Sequence, residues 1–90
     1  MHNKKKALIS LKKAQSHINK VIKMIEKDAY CIDVLQQILA VNGLVKSASD
    51  KILNDHLNHC FKEGMESRDE KRKEKLIREV IGVIDLGKRN

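Results

Sequence analysis

No proline interrupts the chain from Tyr30 to about Glu63, and apolar residues recur through that stretch as Leu35, Ile38, Leu39, Val41, Leu44, Val45, Ala48, Ile52, Leu53, Leu57 and Phe61. The spacing is helical and wider than a single stripe, so a helix over about residues 29–63 has two faces to bury. At ~1.5 Å per residue such a helix is roughly 45 to 50 Å long, more than any other segment of the chain can cover. The surplus apolar face calls for a second subunit. Gly43 is the interior weak point, costing about 1 kcal/mol relative to Ala unless close helix packing uses it.

The flanking segments are helical as well. Leu8, Leu11, Ile18, Ile22 and Ile25 fall at steps of three, four and seven and make residues of about 5–27 an amphipathic helix whose other face carries Lys12, Lys13, Lys20, Lys23 and Lys27. Asp28 has the chemistry of an N-cap for the long helix, which places Cys31 at its third position. Gly64 reads as that helix's terminator. Ser67 and Glu70 have the S-x-x-E spacing of a capping box for a third helix over about 67–87, with the stripe Leu76, Ile77, Val80, Ile81 and Ile84. With no Pro, no Trp, one Tyr and one Phe, the expected class is all-α: one domain over residues 1–90, a three-helix protomer with a long central helix. Ninety residues make a marginal core by themselves. Two cysteines are too few for a disulfide framework, and no run reaches the ~20 apolar residues of a membrane span, so the expected compartment is the cytoplasm.

The side chains able to do chemistry are Cys31, His56, His59 and Cys60. His56 and Cys60, four apart on a helix, point the same way one turn apart, as two ligands of one metal would. His59 falls off that line. His17 interrupts the apolar stripe of the first helix and reads as a polar packing residue. On a continuous helix Cys31 and His56 are roughly 37 Å apart and cannot meet within one chain. They meet if two copies lay their long helices antiparallel, giving two equivalent sites with Cys31 from one protomer and His56 and Cys60 from the other. Two thiolates and an imidazole suit Cu(I), or Zn(II) with a further ligand. Nothing points to an enzyme: there is no Ser/His/Asp set, no paired carboxylates with a cleft, and too little chain to enclose a substrate.

The segment Asp28-Ala29-Tyr30-Cys31-Ile32-Asp33-Val34-Leu35, followed at a distance by Asp55-His56-Leu57-Asn58-His59-Cys60, closely resembles the copper-sensing operon repressor (CsoR) family, and the likeness spans about residues 7–62. The resemblance implies an all-helical, DNA-binding repressor without a helix-turn-helix, assembled as a dimer of dimers. It also implies Cu(I) bound across the dimer by Cys31, His56 and Cys60, with Tyr30 beside the site, and operator DNA released on metal binding. Three positions depart from the family pattern. Ser10 stands where an Arg is usual on the first helix, Ser47 with Lys46 beside it where an Arg is usual on the second, and Lys75 about where a third-helix Glu belongs. Lys does not reproduce the bidentate fork of Arg, so operator affinity or preference is expected to differ.

The formal charge of +7, from 19 Lys and Arg against 12 Asp and Glu, fits a double-stranded DNA partner. Lys4, Lys5, Lys6, Lys12, Lys13 and Lys20, with Lys46 on the second helix, are the expected phosphate contacts. Two other functions fit the same residues. One is a persulfide- or polysulfide-sensing repressor in which Cys31 and Cys60 bridge. The other is a copper-binding oligomer that does not read DNA.

Overall fold

The computed structural model describes residues 2–89, which form helix α1 (His2–Glu26), helix α2 (Cys31–Asp55), a π-helical turn (His56–Phe61), a short helix α3 (Lys62–Met65) and helix α4 (Glu70–Arg89). The described residues contain no strand, and no helix is long and apolar enough to cross a membrane. The expected all-helical fold with three helical rods is what forms. The chain divides into two compact units, residues 1–55 and 56–90.

The first unit is a hairpin of α1 and α2 with a seam of unusually small residues. Among the described side chains of α1, those withdrawn from solvent lie on one line with steps of three and four: Asn3, Ala7, Ser10, Ala14, His17, Val21 and Met24. In α2 the matching line is Val34, Gln37, Val41, Leu44, Ala48, Lys51 and Asp55. Its fully buried apolar members are Ala7, Ala14, Val21, Val34, Val41 and Ala48, each seven residues from the next on its own helix. A seven-residue repeat of this kind is the signature of two helices wound together, and small side chains let their axes approach closely. Near the middle of the seam His17 Nε2 donates to Gln37 Oε1 at 2.6 Å. A matched polar pair fixes the register, because sliding either helix by one turn would leave both groups unpaired. His17 is therefore the polar packing residue its place in the sequence suggests. With His17 opposite Gln37, the antiparallel register brings Ser10 to Leu44 and Asn3 to Lys51.

The seam is not the stripe that dominates the α1 sequence. Leu8, Leu11, Ile18, Ile22 and Ile25 remain 44–59% exposed, since α1 turns its alanines and Val21, not these residues, toward α2. On α2, Ile38, Val45 and Ile52 likewise remain 38–42% exposed.

Turn chemistry also departs from the sequence reading. Asp28 does not cap α2. It adopts φ 56°, and the bonds Ala29 N–H to Met24 O (2.9 Å) and Asp28 N–H to Ile25 O (3.0 Å) make it the left-handed residue that closes α1. Asp tolerates that conformation better than most side chains. Tyr30 instead stands at the α2 N-cap, its carbonyl accepting from Val34 N–H at 3.2 Å, and Cys31 is the first helical residue rather than the third. At α4 the expected Ser67–Glu70 box is replaced by Asp69, whose Oδ1 accepts from Lys71 N–H (3.1 Å) and Arg72 N–H (3.3 Å), while Ser67 Oγ accepts from Asp69 N–H (3.1 Å). A carboxylate one residue from the helix satisfies two free amides at once, so it takes the cap from the serine.

In the second unit Gly64 is a contact residue, not a terminator, because α3 continues to Met65. Gly64 is buried, and a Cβ there would collide with the Leu76 side chain of α4. Gly43, by contrast, has open space around it, so close packing does not use it. The ion pairs along α4, Lys73–Glu70, Arg78–Glu74 and Lys75–Glu79, are largely solvated and add a few tenths of a kcal/mol each at most.

Two outcomes follow for stability. Gly64→Ala should lower it by about 1 to 3 kcal/mol, seen as an earlier urea midpoint, because the α3–α4 contact has no room for a methyl. His17→Leu alone should cost about 1 to 2 kcal/mol by stranding Gln37, whereas His17→Leu with Gln37→Leu should recover most of that loss.

Candidate metal centre and nucleic-acid interface

Winding α1 and α2 on one seam gives the hairpin two chemically different sides. On one side Leu8, Leu11, Ala14 and Ile18 of α1, with Lys12, Gln15 and Asn19 at its polar edge, border an open groove of about 460 Å³ together with Val45 of α2. Cys31, Ile38, Val45 and Ile52 follow one another at seven-residue steps on α2, so Cys31 ends the same apolar line. All four are exposed. On the other side Lys12, Lys13, Ile9, Ser16, His17 and Leu44 border a groove of about 630 Å³. Farther along this side, Lys46, Ser47, Lys51, Asp50, Gly43, Asn54 and Asn3 border one of about 490 Å³. Lys6, Lys13, Lys20 and Lys27 form a single file at steps of seven beside the seam, with Lys5 and Lys12 adjacent. The four lysines singled out for DNA, Lys12, Lys13, Lys20 and Lys46, are all exposed; Lys13 and Lys46 line the grooves of this side, Lys20 continues the file of Lys13, and Lys12 borders the grooves of both sides. Every cation in residues 1–55 is a lysine, the arginines being Arg68, Arg72, Arg78 and Arg89.

The remaining metal-binding candidates occupy the π-helical turn His56–Phe61, where helical bonding widens from i→i+4 to i→i+5. Such turns are rare and concentrate at functional sites. Widening the turn keeps His56 and Cys60 on one side and turns His59 farther from His56. The His56 ring is half-buried against Phe61, with centroids 6.4 Å apart and planes tilted by 54°, while Cys60 and His59 are exposed. Both cysteines are free thiols. Tyr30 is 68% exposed next to Cys31. Lys75 is exposed and pairs with Glu79 at 4.0 Å. Among the described residues of a single chain no three His, Cys, Asp or Glu side chains gather into a metal-holding cluster. Two soft sulfurs and one imidazole, all reachable from solvent or half-buried, nevertheless make a donor set that fits Cu(I).

Three features here were not singled out in the sequence: the small-residue seam, the π turn, and the polar ladder Ser47, Lys51 and Asp55. Asp55 is only 2% exposed, and its Oδ2 has no hydrogen-bond partner. Lys51 Nζ donates to Ser47 Oγ instead. The seam was in principle visible as alanines and valines at strict sevens, a signal masked by the bulkier Leu and Ile stripe beside it.

Residues 3–85 match the metal-sensitive transcriptional repressor family. Among its relatives, the copper-sensing transcriptional repressor CsoR of Mycobacterium ulcerans is 43% identical over 58 residues, 64% of this chain and 50% of the relative. The CsoR of Bacillus subtilis is 34% identical over 74 residues, 82% of this chain and 70% of the relative. The crystal structure of the copper-sensing repressor CsoR with Cu(I) from Geobacillus thermodenitrificans superposes with a TM-score of 0.81 at 30% identity, covering 91% of this chain and 82% of that one. The chain spans about half the length of the mycobacterial relatives it matches. It belongs to the metal-sensitive transcriptional repressor family. Its relatives are transcriptional repressors, not enzymes.

If the two thiols and His56 share a metal, anaerobic Cu(I) at one equivalent per chain should protect both Cys31 and Cys60 from alkylation by at least tenfold, read by mass spectrometry. Protection of one cysteine alone would contradict a shared site.

Proposed function

We propose that this chain is a Cu(I)-responsive transcriptional repressor that binds double-stranded operator DNA in its metal-free form and releases it when Cu(I) joins Cys31 of one protomer to His56 and Cys60 of another. One observation carries the reading: Cys31 terminates an apolar line, Ile38, Val45 and Ile52, that the chain itself leaves exposed. A second copy laid antiparallel on that side would cover the line and bring its own His56 and Cys60 toward Cys31. Burying the exposed half of each Leu, Ile or Val there contributes roughly 1 kcal/mol per side chain before the cost of association. The isologous dimer, and a dimer of dimers built from it, then holds two equivalent sites. Cu(I) supplies a soft centre that accepts three ligands, and the chain's own residues supply donors, orientation and a half-buried imidazole. The family and the copper-sensing relatives support this metal. In this reading residues 1–90 act as one sensing and DNA-binding domain.

The basic side carries the DNA function. Lys12, Lys13, Lys20 and Lys46 are ammonium point charges suited to phosphate oxygens, without the bidentate fork that an Arg at Ser10 or Ser47 would provide. Binding then rests heavily on the phosphate backbone and weakens steeply with salt. A site in the cytoplasm is the natural place for such a protein. The free, exposed state of both cysteines supports a second reading, a sulfur-species sensor in which Cys31 and Cys60 of two chains bridge.

Mobility-shift titrations on DNA upstream of its own gene separate these readings. The apo protein should bind, and saturating Cu(I) should weaken binding by 5- to 150-fold, the range of ordinary allosteric coupling. Each Lys→Gln change at Lys12, Lys13, Lys20 or Lys46 should reduce affinity similarly on all sequences and lower the salt slope by about one. Copper bound at full occupancy with DNA affinity unchanged would contradict the copper reading. Release by polysulfide with an interchain Cys31–Cys60 link, but not by Cu(I), would favour the sulfur sensor. Copper binding without any DNA binding would leave a copper-holding oligomer.

A further inference from the structure

Asp55 is the last seam position of α2 and directly precedes His56, yet it places a carboxyl group where Val34, Val41 and Ala48 place methyls. It is 98% withdrawn from solvent, and its Oδ2 has no hydrogen-bond partner. A buried acceptor left unpaired lowers stability, so a chain that holds one has a structural or functional use for it. One turn back, Lys51 occupies the neighbouring seam position and donates from Nζ to Ser47 Oγ, one turn further back again. Lys51 thus has an acceptor four residues away in either direction. The helix favours the rearward one, because side chains lean toward the N-terminus and a lysine pairs less well with an acid four residues C-terminal to it. The two choices differ in consequence. Lys51, bonded to Ser47, lines the groove it shares with Lys46, Ser47, Asp50 and Asn54 on the basic side. Bonded to Asp55, which does not line that groove, its ammonium would move away from Lys46 and satisfy the carboxyl group that precedes His56 in the chain.

We propose that Lys51 is a two-position relay, held by Ser47 in the DNA-binding form and by Asp55 in the metal-bound form, which passes the state of the His56 turn to the lysine side of the hairpin. The inference rests on the copper-repressor reading and deepens it. Asp55 is joined through one peptide bond to the π turn that carries His56 and Cys60. Ligation at His56 and Cys60 would fix that turn, and a shift of the adjoining Asp55 carboxyl group would then offer Lys51 its second acceptor against the rearward preference of the helix. The sign agrees with release, because moving the ammonium to Asp55 takes a positive charge out of the groove next to Lys46 and weakens its hold on phosphate. Lys51 and Asp55 act here as positioning residues, without contacting the metal.

A double-mutant cycle tests this with wild type, Lys51→Met, Asp55→Asn and the double variant, each titrated with operator DNA in the apo and Cu(I)-saturated forms. In the apo form the two substitutions should act independently, their fold-effects on DNA affinity multiplying. In the Cu(I) form they should be coupled by fivefold or more, and Lys51→Arg should restore at least half of the copper response lost in Lys51→Met. Without metal, Asp55→Val should raise the thermal midpoint by several degrees, since it removes the unpaired acceptor from an apolar seam position. Equal coupling in both forms, or a lower midpoint for Asp55→Val, would overturn the relay while leaving copper sensing intact. Loss of any copper effect on DNA in the wild type would overturn the copper reading and the relay with it.

Discussion

Small side chains at sevenfold spacing along α1 and α2 set the terms for the rest of the molecule. Ala7, Ala14 and Val21 against Val34, Val41 and Ala48 bring two 25-residue helices close together while burying little apolar surface. A seam of alanines and valines cannot hide Leu11, Ile18, Ile25, Ile38, Val45 or Ile52, which all fall outside it. The hairpin is consequently well specified in register, through His17 and Gln37, but underprovided with hydrophobic stabilisation. Association is the physical remedy, and a protein whose fold is completed by a partner can place a ligand site in the contact that completes it.

The same winding separates the hairpin's chemistry into two sides. Residues flanking a seam on opposite sides never exchange places along a regular coiled pair, so one side keeps the apolar line that ends at Cys31, while the other carries the single file of lysines. Two chemically different surfaces thus arise from one helical hairpin. The seam lies between the two sides, and its polar members are Asn3, Ser10, His17, Gln37, Lys51 and Asp55. Its end at Asp55 meets the π turn, where the helical pattern itself changes.

The long proline-free stretch made the helical class legible in the sequence, together with the surplus of apolar residues that the chain leaves exposed. The D-x-Y-C and H-x-x-x-C segments identified the family that residues 3–85 match. What the sequence concealed has physical causes. Two apolar stripes compete on α1, and the bulkier one wins any reading by hydrophobicity, although the smaller one packs. Asp28, Ser67 and Asp69 all have capping chemistry, and only the path of the chain decides which of them caps. Gly64 carries both the signature of a terminator and that of a close contact, and Leu76 settles the matter. A π turn leaves no compositional trace at all, because it depends on how the backbone bonds are shared and not on which side chains are present.

The central claim is that two chains contribute to each metal site, and mixed dimers test it most directly. Protomers carrying Cys31→Ala and protomers carrying His56→Ala with Cys60→Ala each lack part of the donor set. Reassembled together, they contain one antiparallel pairing of an intact Cys31 with an intact His56 and Cys60. Purified heterodimers should bind one tight Cu(I) per dimer, against two for wild type and none for either parent. Heterodimers that bind no tight Cu(I) would show that each site is built within a single chain and would contradict the account.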